Sequence, residues 1–159
     1  MQLTQKAERI WQLYLDTKDK PLFIAAELLV VLGISFVYFY LYQFASTHLC
    51  GTDPYYHIKF AYLTRTQGII HDFHWSQFSL WKDHFFDKEF LYHLYLSLFT
   101  YGDLIQGAKW ATLTIGCGIF TSFFVVLRLN RVRYRWLWWV LLLSSGGYLL
   151  FRINVCRPQ

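Results

Sequence analysis

Charge is in short supply in this 159-residue chain. Asp, Glu, Lys and Arg make up 16% of it, against 55% apolar and 21% aromatic residues. A soluble domain carries about a quarter charged residues. The shortage therefore points to a membrane protein. Cysteine is scarce too. Cys50, Cys117 and Cys156 show no metal-ligand spacing, which excludes a cysteine-based zinc framework. The first apolar run starts near Leu22, is long, and lacks a small-residue cleavage pattern, so no cleavable signal peptide is expected. Internal repeats and low-complexity segments are also missing. The net charge of +5 does not imply nucleic acid, because the basic residues cluster beside apolar segments.

What is present reads as an all-α polytopic membrane protein. Residues 1–20 mix charges with Ile10, Trp11, Leu13, Tyr14 and Leu15, the pattern of an amphipathic helix lying on a membrane surface or, equally, of a frayed, solvated terminus. Leu22 to Phe44 forms a first transmembrane helix of 23 residues, against roughly 20 needed to cross a bilayer. Its single charge, Glu27, lies near the start, where it reaches the interface and carries no function. Leu104 to Leu127 forms a second span. Lys109 in its first turns snorkels to the headgroups. Gly116-Cys117-Gly118 in its middle suits close approach of another helix. Trp136 to Phe151 forms a third, short span. Between the last two, Arg128, Arg131, Arg133 and Arg135 make a basic turn, a positive-inside signal with no ligand attached to it. The predicted topology puts the amino terminus and this turn in the cytoplasm. Residues 45–102 and the tail 152–159 face outside.

The long polar segment, residues 45–102, holds all six histidines and five of the ten acidic residues. It is too aromatic for a flexible linker. Two short interfacial helices joined by an aromatic loop are expected. Asp53 and Pro54 read as cap and first residue of one helix, which Gly68 ends. Asp87 reads as the cap of another, running from about Lys88 to Phe99. Asp53 and His57 are four residues apart, and so are Glu89 and His93, which puts each pair on one helical face. Asp53, His57, Asp87, Glu89 and His93 together offer the oxygen and nitrogen donors that a divalent ion takes. His71-Asp72-Phe73-His74 has the form of a zinc half-site without a partner and reads as a polar turn. Arg152 and Arg157 are candidates for forked contacts to a phosphate, or for plain headgroup contacts. Cys50 and Cys156 both face the outer side; nothing in the sequence decides whether they are bridged.

One arrangement in this order is familiar. A first membrane helix is followed by an outer loop that opens Thr52-Asp53-Pro54-Tyr55-Tyr56-His57, then a short basic inner turn and an outer Arg157-Pro158. The pattern resembles the amino-terminal part of the GT-C superfamily of membrane glycosyltransferases, near the oligosaccharyltransferase catalytic subunit and related bacterial proteins. The resemblance implies that Asp53 helps to bind a divalent metal, Mn or Mg, beside a polyprenyl-phosphate-linked sugar donor. It implies membrane lipid and that donor as partners, further membrane chains as possible ones, and a bacterial inner membrane as location. Arg152 or Arg157 would then contact the donor phosphate. The family needs a second acidic loop and many more spans, so a longer protein is expected and the 159 residues alone are expected to be inactive. The alternative is a non-catalytic membrane subunit that serves as an interaction scaffold.

Overall fold

A computed structural model describes residues 20–145 and 147–156. The amphipathic segment predicted for residues 1–20, save Lys20, lies outside the described residues, and so does Arg157. All regular structure among the described residues is helical. The elements are α1 (Pro21–Phe44), α2 (Asp53–Gln67), a single 3₁₀ turn (Leu80–Lys82), α3 (Phe90–Ser97), α4 (Leu104–Leu129), α5 (Arg135–Leu143) and α6 (Gly147–Asn154).

Two of these helices, α1 with 24 residues and α4 with 26, are long and apolar enough to cross a membrane. Among the described helices they make the most extensive contact. Pro21 starts α1, where its missing N–H costs nothing. Asp103 starts α4, its carboxylate accepting from the Gln106 amide at 2.8 Å. Their shared core is built from Val31, Phe39, Leu113, Cys117, Phe120 and Phe124, with Trp139 of α5 and Leu150 of α6 closing it. The small residue at Gly116 allows the close approach. A Cβ there would lie 2.8 Å from the Phe39 ring, whereas one at Gly118 would meet nothing within 4 Å.

Three sequence expectations change here. The third span is not one helix. α5, of nine residues, ends at Leu143, and α6, of eight, starts at Gly147. Gly147 has φ +65°, a backbone that glycine enters without the Cβ penalty of other residues. Glu27 does not reach for the interface. It is buried, and its carboxylate accepts from Arg128, from Arg135 Nη2 at 2.6 Å and from Trp136 Nε1 at 3.2 Å. The basic turn therefore does have a ligand, and that ligand is α1. Lys109 does not snorkel. It is 1% exposed, its ammonium donates to the Ser46 carbonyl, and it lies over the Phe44 ring. A lysine this deep needs such a partner.

The polar segment folds against the Gln43 and Lys109 end of the α1–α4 pair. α2 and α3 pack on each other and on α4, around Ile58, Ala61, Leu96, Ala108 and Ala111. Arg65 ties the far end of α2 to the α3–α4 connection, donating to Thr100 Oγ1 at 2.7 Å and to the Thr100 carbonyl at 3.1 Å. Tyr95 Oη donates to the Ala111 carbonyl at 2.8 Å. Gln43 Nε2 donates to the Asn154 carbonyl at 2.8 Å, joining the ends of α1 and α6. The loop from His71 to Phe85 closes on itself, with the Phe85 amide donating to the His71 carbonyl at 2.8 Å. That closure stacks Phe73 on Phe85 and lays Phe85 against Phe60 of α2.

Candidate functional site

The start of α2 differs from the sequence expectation by one position. Thr52 occupies the cap and Asp53 is the first helical residue, followed by Pro54. The second helix also starts later than expected: Glu89 is its cap position and Phe90 its first residue. Asp87 lies just upstream, where its Oδ1 accepts from the Glu89 amide at 2.9 Å. This turn leaves the other oxygen, Oδ2, aimed at His93, whose Nδ1 donates to it at 2.7 Å.

His57 and His93 meet between the two helices. His57 projects from the first turns of α2 and His93 from the first turn of α3. His57 Nδ1 and His93 Nε2 are 2.9 Å apart. Glu89 Oε2 lies 3.4 Å from the same His57 nitrogen. Both rings are out of solvent, His57 at 7% exposure and His93 at 0%. Phe60 stacks beside His93 with centroids 4.7 Å apart, and Tyr92 stands edge-on to His57. Among the described residues, His57, Glu89 and His93 are the one group of three or more potential metal ligands whose donor atoms all lie within 4.8 Å of each other. The helical pairs seen in the sequence are therefore rearranged. His57 faces Glu89, and His93 faces Asp87.

A pocket of about 390 Å³ opens onto this group. Its walls include Asp53, Tyr56, His57, Phe85, Asp87, Lys88 and Glu89. Asp53 thus borders the cavity without belonging to the three-residue group. A second groove of about 440 Å³ shares Tyr56 and is lined by Tyr55, Phe60, Leu63, Phe73 and Trp75, with Lys59 as its cation. Burial holds the His57 imidazole below its ordinary pKa, and His93 adds to this; Glu89, Asp53 and Asp87 pull the other way without reversing it. Burial also raises the Tyr56 and Tyr92 phenols, with Asp87 and Glu89 adding to the effect at Tyr56 and Cys156 at Tyr92.

The depressed His57 pKa fixes a sign. The unfolded chain binds a proton near pH 6.5 that the folded chain refuses until lower pH. His57 therefore contributes stability that is present above about pH 6.5 and lost as pH falls. Thermal unfolding followed by near-ultraviolet circular dichroism should show a falling midpoint between pH 7.5 and pH 5.5. His57→Gln should flatten that slope, and an unchanged slope would contradict the burial of this ring.

The remaining candidates do not join the group. His74 Nδ1 pairs with Asp72 at 3.2 Å on an exposed turn, away from any third ligand. Arg152 sits in the last turn of α6. Cys50 is exposed, Cys156 buried, and both carry free thiols although they border one cavity of about 130 Å³. Tyr92 was invisible as a site residue in the sequence. Its ring packs on His57 while its hydroxyl donates to Cys156 Sγ at 3.3 Å, a residue 64 positions away.

No family model, no curated protein and no solved structure matches this chain. Its class rests on its own features: all regular structure among the described residues is helical, and two helices are long and apolar enough to cross a membrane.

Proposed function

We propose that this chain is the amino-terminal, membrane-embedded part of a GT-C type glycosyltransferase that moves a sugar from a polyprenyl-phosphate donor. It sits in a bacterial inner membrane with its amino terminus in the cytoplasm, α5 and α6 together making a third crossing. The observation that carries this reading is the pocket that Asp53 opens nine residues after α1 ends, with Asp87 and Glu89 on its walls. A lipid-linked donor has to enter from the membrane, and that is where a site directly beyond a spanning helix can meet it. The neighbouring aromatic groove, with Lys59 at its side, suits an isoprenoid phosphate: rings for the hydrocarbon and a cation for the charge.

The donor set fits a divalent ion, since carboxylate and imidazole groups converge while Lys88 is the one cation on the pocket wall. When bound, such an ion offsets the charge that develops on the leaving phosphate. The chain's own part is to hold and shield. Asp53 brings negative charge to the mouth of the pocket. Phe85 and Tyr56 keep water off one side, and Arg152 would contact the donor phosphate.

The test is a replacement at the native locus. Asp53→Asn is isosteric and leaves the Thr52 cap and Pro54 in place, removing only a first-turn charge worth about 0.3–1 kcal/mol to the helix. The expected outcome is loss of the transferred glycan and accumulation of its lipid-linked donor, at unchanged protein level. An unchanged glycan and donor profile would reject the glycosyltransferase reading and leave the scaffold alternative standing.

A further inference from the structure

The geometry points to a binding site for a first-row transition-metal dication, held by His57 Nδ1, His93 Nε2 and Glu89 Oε2, with Asp87 as the positioning carboxylate. This deepens the metal part of the proposed function, yet it stands on these four side chains and holds whether or not the chain moves sugars.

The first observation is a surplus of acceptors. A carboxylate can only accept, so the 2.7 Å contact between His93 and Asp87 puts the His93 proton on Nδ1. His93 Nε2 is then a lone pair aimed at His57. Glu89 Oε2 faces the same point from the side. His57 Nδ1 has one proton to offer and two acceptors around it. With that proton moved to Nε2, three lone pairs converge on one spot between two buried rings. A dication satisfies all three at once, and a single proton cannot. On binding, the His57 proton stays on the ring at Nε2 and the His93 proton stays on Nδ1 toward Asp87, so the group takes up the dication without losing a proton.

The second observation is spacing. Bonds of about 2.0–2.1 Å put neighbouring donor atoms roughly 2.9 Å apart at octahedral angles and roughly 3.4 Å apart at tetrahedral angles. The contacts from His57 Nδ1 are 2.9 Å to His93 and 3.4 Å to Glu89. All three donor atoms lie within 4.8 Å of one another. The third is the shell behind the ligands. Asp87 fixes the tautomer and orientation of His93 through Nδ1, the arrangement by which a carboxylate tunes a ligating histidine. Asp87 is itself fixed by the Glu89 amide. The fourth is access. His57 and Glu89 reach the pocket wall while His93 lies behind them, which leaves the pocket side open for water or a phosphate oxygen.

The ligand set also selects the ion. Two imidazoles and one carboxylate suit zinc, iron, cobalt, nickel or manganese. Magnesium and calcium take oxygen ligands, six or more of them, and keep water when protein oxygens are few. The site should therefore discriminate against both.

The test uses the tag-free 159-residue chain in nanodiscs, stripped with chelator and dialysed against Zn²⁺, Mn²⁺ or Mg²⁺ in turn. The expected result is one zinc or manganese per chain by mass spectrometry of the metal, and no magnesium. His57→Ala and His93→Ala should each lose the ion. Asp87→Asn should keep the stoichiometry and weaken binding roughly 10–100-fold. His71→Ala with His74→Ala should bind as the parent does. X-ray absorption on the zinc-loaded parent protein needs no variant: it should show two imidazole nitrogens and no sulfur. Sulfur ligation, equal occupancy by magnesium, or full binding by the His57→Ala, His93→Ala double variant would each overturn the assignment. None of these readouts depends on sugar transfer, so a failed glycan test and a failed metal test remain distinct.

Discussion

Glu27→Ala is expected to destabilise the protein by about 3–5 kcal/mol, the cost of removing one member of a buried ionic cluster. Glu27 is 6% exposed and is the shared acceptor of Arg128 and Arg135, with Trp136 adding a third bond. Two guanidiniums around one carboxylate already leave one positive charge in excess. Without the carboxylate, both cations face each other in a region of low dielectric, where repulsion is strong. The lost contact is also long-range. It joins the first turns of α1 to the end of α4 and the start of α5, which are 101 and 108 residues away. Denaturation in mild detergent should show the loss in Glu27→Ala. Glu27→Leu combined with Arg128→Met should recover part of it, since an apolar replacement of a buried pair can approach neutrality. Equal stability of Glu27→Ala and the parent would mean that solvent reaches this cluster freely.

Gly107→Ala is expected to cost at least the upper end of the usual 1–3 kcal/mol for overpacking, and to abolish metal binding with it. A Cβ at this position would lie 2.0 Å from the Phe99 carbonyl oxygen and 3.1 Å from the Phe99 carbonyl carbon. Both atoms are backbone, so no rotamer change relieves the clash. Either α4 or the end of α3 has to move. His93 and its partner Asp87 are positioned by α3, and a displacement of a few tenths of an ångström there separates His93 from His57. Two further substitutions grade the effect. Gly116→Ala meets the Phe39 ring at 2.8 Å, which a tilt of the ring can ease, and should cost less. Gly118→Ala meets nothing within 4 Å and should be neutral or slightly stabilising, because alanine favours the helix. A Gly107→Ala variant as stable as Gly118→Ala would show that α3 and α4 do not approach as closely as described.

Much of the outline was legible in the sequence, because it depends on local composition. Long apolar runs give α1 and α4 by length alone. Asp53-Pro54 and Gly68 frame α2 to within one residue, since proline and glycine restrict the backbone wherever they stand. Asp53, His57, Asp87, Glu89 and His93 were identifiable as candidates because polar, metal-competent side chains are rare in so apolar a chain. The break between α5 and α6 was also written there, in Ser144, Ser145 and Gly147, but hydropathy averaged over a window passes over it.

Partner choice was decided by the tertiary structure. Helical spacing pairs Asp53 with His57 and Glu89 with His93, because residues four apart share a face. The fold pairs His57 with Glu89 and His93 instead, across 32 and 36 positions, since α2 and α3 pack side by side and turn their first turns inward. Glu89 stands at the cap of α3 with φ −112° and ψ 23°, off the helical path that would have aimed it at His93. Glu27 and Lys109 follow the same logic. Each was read from sequence as a charge escaping to the interface, because snorkelling is what an isolated helix allows. In the folded protein a second helix covers each of them, water is excluded, and the charge is held by the nearest group that can answer it: Arg128 and Arg135 for Glu27, and the Ser46 carbonyl for Lys109. Sequence spacing fixes which side chains share a surface. Only the packing of one helix on another fixes which of them lose their water, and the loss of water is what forces a charge or an imidazole to find a specific partner.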